Sequence, residues 1–181
     1  LQGGHVRMTP DGKVIAGNSM VENGQGHATT FAQVVADELG VAYDDVEVVE
    51  GDTDRVPEGG GTGGSKALAM AGSALKQSAE KIKERARRIA AHELEAAPED
   101  VEFDDGDFHV VGAPDRSMTM REVAAAAYSG ELPDDLHGLE DTTFFTPTGR
   151  TAPFGTHIAV VEVDPETGGI EFERYIAVDD V

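Results

Sequence analysis

Apolar and polar positions follow two rhythms along the chain. Phe31, Val34, Val35 and Leu39 fall on one face of a 3.6-residue period, which predicts an amphipathic helix closed by Gly40. Thr29 or Thr30 is its expected N-cap. Leu68, Leu75, Ile82 and Ile89 repeat every seven residues, with Ala71, Ala79 and Ala86 beside them. They predict a helix capped by Ser65, about 45 Å long, that ends near Ala97 and is stopped by Pro98. A seven-residue repeat also fits a coiled coil. One apolar row interleaved with alanines fits a single helix on a sheet more simply.

The second rhythm has a period of two. His5–Thr9 and Lys13–Ala16 flank Pro10-Asp11-Gly12, a tight-turn signal. Asp45–Glu50 reads as a strand. Val101–Phe103 and Phe108–Val111 flank Asp104-Asp105-Gly106-Asp107, a second hairpin. Thr142–Phe145 is a short strand, and Ile158–Val163 and Ile170–Ala177 form a third hairpin across 164–168. Thr119 and Glu122 have the spacing of a capping box, opening a short alanine-rich helix that Gly130 ends. Glu131–Leu139 reads as a linker. The expected fold is α+β: a mixed or antiparallel sheet with one long and two short helices. The expected division is 1–130, carrying two glycine-rich loops, and 131–181, a linker and C-terminal hairpin.

Those loops are the candidate site. Gly24-Gln25-Gly26-His27-Ala28-Thr29 precedes the first helix, and Gly59-Gly60-Gly61-Thr62-Gly63-Gly64-Ser65 precedes the second. Helix starts carry unpaired N–H groups and partial positive charge, and glycine lets a ligand approach the backbone. An anionic ligand between them is one reading; two ordinary loops is the other. Neither loop has a known phosphate-binding spacing. A helix followed by a strand places both loops at one end of a sheet.

Composition narrows the classes. The 181 residues carry a net charge of −21 and no cysteine. The charge argues against nucleic acid, and the missing cysteine rules out disulfides, iron–sulfur ligation and cysteine zinc sites within the chain. Such acidity suits a halophile's surface, or an ordinary acidic domain with a basic partner. Seven of the fourteen Lys and Arg residues lie between Lys66 and Arg88, a stretch that pairs with neighbouring acids or faces an acidic partner. No transmembrane span or signal peptide is expected. Six histidines are scattered with no i, i+4 pair; His27, in the first loop, reads as structural. No catalytic residue and no metal ligand stands out.

The chain resembles the molybdenum-cofactor-binding large subunit of the xanthine dehydrogenase and carbon monoxide dehydrogenase family, nearest its carbon monoxide dehydrogenase branch. The resemblance rests on Gly24–Gln33, Glu47–Asp54, Gly61–Ser65, Arg87–His92, Ala97–Val101, Pro153–His157, Val161–Asp164 and Ala177–Asp180. It implies a molybdopterin cofactor, in the cytosine dinucleotide form, with molybdenum. It assigns pterin and pyrophosphate contacts to Gly24, Gln25 and Gly26, and further contacts to Thr62, Gly64 and Ser65, with Gly64 backbone beside the metal. The chain departs from many relatives at Ala28, where they have an acid, and at Gly63 and Lys66-Ala67, where they have an aromatic and a serine-arginine pair. The family's catalytic glutamate is expected beyond Val181, and its Phe-Gly-Gly motif and active-site loop before Leu1. The chain is thus expected to be inactive alone, as part of a subunit oxidising carbon monoxide, an aldehyde or an N-heterocycle with water. Iron–sulfur and flavin subunits, a large-subunit dimer and a cytoplasmic location are implied. The competing class is a non-catalytic halophilic binding or assembly module.

Overall fold

A computed structural model describes residues 1–149 and 154–180; Pro153, from the family-like motif, lies outside them. The chain divides into two units, Leu1–Thr148 and Gly149–Val181. The first therefore extends past the expected boundary at 130.

In the first unit, β1 (Gln2–Met8) and β2 (Val14–Asn18) form the expected hairpin, with Gly12 N–H donating to Thr9 O at 2.9 Å. Helix α1 (His27–Leu39) then crosses over to β3 (Val46–Val49), which pairs parallel to β2. Strand β7 (Leu139–Phe145) pairs with the other edge of β1, giving the order β3-β2-β1-β7. Phe31, Val35 and Leu39 of α1 are fully buried, as the pattern predicts. Val34 is only half-buried. Gly40 ends α1 in a left-handed conformation, φ 60°, with its N–H on Ala36 O.

The long helix departs from expectation at both ends. It opens with a π turn at Leu68–Gly72 and continues as α2 (Ser73–Glu93). Leu75, Ile82 and Ile89 are buried, whereas Leu68 is 52% exposed. The extra residue of a π turn rotates everything before it by roughly 100°, so the seven-residue spacing no longer keeps Leu68 on the same face. Ser65 does not cap this helix: it has φ 52°, and a capping serine needs extended backbone. At the far end Glu95 turns left-handed (φ 49°) and Ala96 N–H bonds Ala91 O at 2.9 Å. The helix is thus closed before Ala97 and Pro98. Gly4 lets α2 lie against β1, since a Cβ there would stand 2.5 Å from Leu75 N. Ser78 Oγ donates to Gly4 O at 2.9 Å across that contact.

A second sheet joins β4 (Val101–Asp104), β5 (Asp107–Val110) and β6 (Ala113–Thr119) in that order. Asp105 and Gly106 both have positive φ, the two-residue hairpin turn that Asp-Gly favours. Strand β6 was not legible as a strand: it is almost wholly exposed, so it lacks alternation, and it contains Pro114. The capping box is present, Glu122 N–H donating to Thr119 Oγ1 and Thr119 N–H to Glu122 Oε2 at 3.2 and 2.8 Å. Helix α3 (Met120–Ala126) stops short of Gly130. The segment read as a linker is core. Leu132, Leu136 and Leu139 are buried, and Tyr128 Oη donates to Met8 O at 2.7 Å.

The second unit is an antiparallel hairpin of β8 (Phe154–Val163) and β9 (Ile170–Asp180), with a bulge at Val160/Val161. The architecture is the expected α+β fold with one long and two short helices. Among the described residues no helix is long and apolar enough to cross a membrane.

Candidate functional site

The two glycine-rich loops meet at Val21. Thr62 Oγ1 donates to Val21 O at 2.9 Å and accepts from Val21 N–H at 2.8 Å. Gln25 Nε2 donates to the same carbonyl at 3.2 Å. A buried glutamine fixes the second loop from below: Gln2 Oε1 accepts from Ser19 Oγ (2.6 Å) and Gly60 N–H (3.1 Å). An open cleft of about 500 Å³ lies beside this junction, walled by Ser19, Val21, Thr53, Val56, Glu58 and Gly61. Gln25, Gly64 and Ser65 are not among its walls.

The start of α1 is not the free anion site that the sequence suggested. Its N-cap is Gly26, left-handed at φ 80°, and neither Thr29 nor Thr30 caps it. Thr30 Oγ1 instead donates back to Gly26 O at 3.1 Å. The free donors are taken by a residue absent from the sequence reading, Glu22. Its carboxylate accepts from the N–H groups of Gly24 (2.7 Å), Gly26 (3.0 Å), His27 (2.5 Å) and Ala28 (3.3 Å). Desolvation works against its charge, but the backbone donors at Gly26, Gly24, His27 and Ala28 outweigh it, and the carboxyl titrates below the ordinary glutamate value of 4.5. A lowered folded pKa contributes stability above the unfolded value, and that contribution is lost as pH falls through the folded one. Glu22→Gln is therefore expected to be less stable than the native chain at pH 7 and to approach it below pH 4.5. A gap in melting temperature that stays constant with pH would show that Glu22 does not hold the loop as an anion.

Gln25 is folded over its own loop. Its Oε1 accepts from Asn23 N–H at 2.6 Å, and its Nε2 lies 3.0 Å from His27 Nε2. The second loop is more open. Gly61 (φ 67°) and Gly64 (φ 64°) are left-handed, and a Cβ on Gly61, Gly63 or Gly64 would meet nothing within 4 Å. Ser65 is exposed and held left-handed, a conformation that costs a non-glycine residue about 1–2 kcal/mol. Such strain gathers at functional sites. Lys66 brings an ammonium to the loop, 3.8 Å from where a Gly60 Cβ would stand.

Sequence reasoning set His27 aside and passed over Glu50, at the end of β3. His27 is buried against Phe31, ring centroids 5.0 Å apart, with Nδ1 3.2 Å from Glu50 Oε1. Glu22 reaches the same place. Asn18 Nδ2 and Glu50 Oε1 are buried atoms without a hydrogen-bond partner among the described residues. The one sequence signal for this cluster was an acid two residues before a glycine pair.

Known proteins are similar to the chain over almost its whole length. The chain is 42% identical over 175 residues to the carbon monoxide dehydrogenase large chain of Afipia carboxidovorans, covering 97% of this chain and 22% of that one. It is 34% identical over 178 residues to the nicotine 6-hydroxylase large subunit of Paenarthrobacter nicotinovorans, again 97% and 22%. It superposes on reconstituted carbon monoxide dehydrogenase from Oligotropha carboxidovorans with a TM-score of 0.92 at 40% identity, covering 99% of this chain and 22% of the other. Against quinoline 2-oxidoreductase from Pseudomonas putida 86 the TM-score is 0.86 at 35% identity, with 98% and 23% covered. The chain thus spans about a fifth of the length of these relatives. Residues 1–181 match the molybdopterin cofactor-binding domain, and the chain belongs to that family.

Proposed function

We propose that this chain is part of the cofactor cradle of a molybdenum hydroxylase large subunit, an oxidoreductase. The observation that carries the reading is the second loop. Its left-handed glycines open onto free space, and Ser65 holds an exposed hydroxyl in a strained backbone beside Lys66. These are donors and approach room for an anionic, many-oxygened ligand. Thr62 and Ser65 offer hydroxyl donors and Gly64 offers close backbone approach. The reading also assigns cofactor contacts to Gly24, Gln25 and Gly26, whose loop joins the second one at Val21. Because Glu22 already occupies the N–H groups of α1, the chain's contribution to phosphate binding falls mainly on the second loop. When bound, the molybdopterin group, which we take to be the cytosine dinucleotide form, supplies a molybdenum that accepts substrate electrons while water supplies oxygen.

The substrate reading that fits best is carbon monoxide, given the 42% and 40% identities to two carbon monoxide dehydrogenase large chains. Oxidation of an aldehyde or N-heterocycle is the second reading. The departures from many relatives expected at Ala28, Gly63 and Lys66-Ala67 weigh towards it, and nicotine and quinoline enzymes are also similar. The partners we propose are iron–sulfur and flavin subunits and a second large subunit, in the cytoplasm. Metal and pterin analysis of the native full-length complex tests the function. Molybdenum and pterin, each equimolar with the large subunit, are expected. Their absence from a well-folded complex would favour a non-catalytic assembly module.

The charge of −21 supports a halophilic setting. Molar salt shrinks the screening length to about 3 Å, so self-repulsion fades and the melting temperature is expected to rise steeply between low salt and molar potassium chloride. A melting temperature that does not move over that range would remove the halophile reading.

A further inference from the structure

A second polar cluster lies behind the first loop. We infer that Glu22, His27 and Glu50 form a binding site for a divalent cation of the kind that accepts both imidazole and carboxylate, such as zinc. One ligand atom from each of the three lies within 4.8 Å of the others, the one such group among the described residues. Ligands about 2.1 Å from a shared tetrahedral ion stand roughly 3.4 Å apart. His27 Nδ1 and Glu50 Oε1 are 3.2 Å apart.

The independent sign of a missing partner is Glu50. Its side chain is only 9% exposed, and Oε1 is buried without a hydrogen bond among the described residues, although His27 Nδ1 is near. The two atoms are close, but the contact is not directed as a hydrogen bond. A buried carboxylate oxygen with no donor is costly, and a cation between it and Nδ1 removes the cost. Glu22 is already held in place by four backbone donors. The Ala28 bond, at 3.3 Å, is the longest of them, and releasing it frees a lone pair for the ion. Two carboxylates and one imidazole balance a divalent charge. Nitrogen with oxygen donors selects zinc, cobalt, nickel or iron over calcium and magnesium. A bound ion ties the end of β3 to the start of α1 beneath the first glycine loop. The site thus goes beyond the molybdenum reading, since no cofactor contact is needed to form it.

The test is zinc binding by the full-length subunit, first stripped with a chelator and then titrated with Zn²⁺. One equivalent is expected to bind, with X-ray absorption at the zinc edge showing an imidazole nitrogen at about 2.0–2.1 Å. Glu50→Gln and His27→Ala are each expected to weaken binding at least ~100-fold, because even outer partners of a metal site are worth ~10–100-fold. Circular dichroism of the zinc-free variants checks that they fold. The absorption measurement on the unsubstituted protein decides the matter if they do not. Absence of stoichiometric binding, a zinc edge without imidazole, or unchanged affinity in both folded variants would overturn the site. Molybdenum and pterin content, measured on the same samples, reports separately on the cradle.

Discussion

Gly40→Ala is expected to destabilise the first unit by about 2–5 kcal/mol. Two effects combine there. Gly40 closes α1 at φ 60°, and an alanine in that region costs about 1–2 kcal/mol. A Cβ at Gly40 would also stand inside contact distance of Gly106 N and Cα and 2.7 Å from Asp105 C. All three are backbone atoms of the Asp105-Gly106 turn, whose own positive φ angles leave it no freedom to withdraw. Overpacking of this kind adds about 1–3 kcal/mol. The sum approaches a domain's whole margin of about 5–15 kcal/mol. Gly130→Ala is the comparison. Its φ is 81° but nothing lies within 4 Å, so only the backbone cost of about 1–2 kcal/mol applies. Urea denaturation of both variants separates the terms. Equal losses would mean that the α1 terminus and the β4–β5 turn are not locked together.

The contrast between these glycines shows where the sequence was readable. Period and punctuation located α1, the β1–β2 and β4–β5 hairpins and the capping box of α3, because each is specified by neighbours in the chain. The errors fall where tertiary contacts decide. The row of Leu68, Leu75, Ile82 and Ile89 is regular in sequence, yet a π turn shifts Leu68 into solvent. The polar run from Glu131 hides Leu132, Leu136 and Leu139, three leucines at helical spacing that the core claims. At the site, the glycine loops were visible from composition, and in the fold they meet at Val21. Glu22 was not visible as their occupant. A carboxylate that folds back onto N–H groups two to six residues away leaves no periodic trace. The approach of Glu50 to His27 depends on the parallel pairing of β2 and β3, which no local pattern announces.

Ser65→Gly is expected to speed the loss of cofactor from the full-length subunit by about 10–100-fold without loss of fold. The hydroxyl is proposed to donate to a charged group of the cofactor, and such a bond is worth about 1.5–3 kcal/mol. Affinity changes of this kind fall mainly on the dissociation rate. The backbone works in the opposite direction. Ser65 sits at φ 52°, which glycine adopts without strain, so the variant is expected to melt at or above the temperature of the native protein. A serine whose role was only structural would show the reverse pairing. The decisive measurement is the rate at which pterin and molybdenum leave native and Ser65→Gly subunits under the same conditions. Release faster by about 10–100-fold with an unchanged or raised melting temperature is the predicted result. Equal release rates would contradict the assignment of this loop to the cofactor.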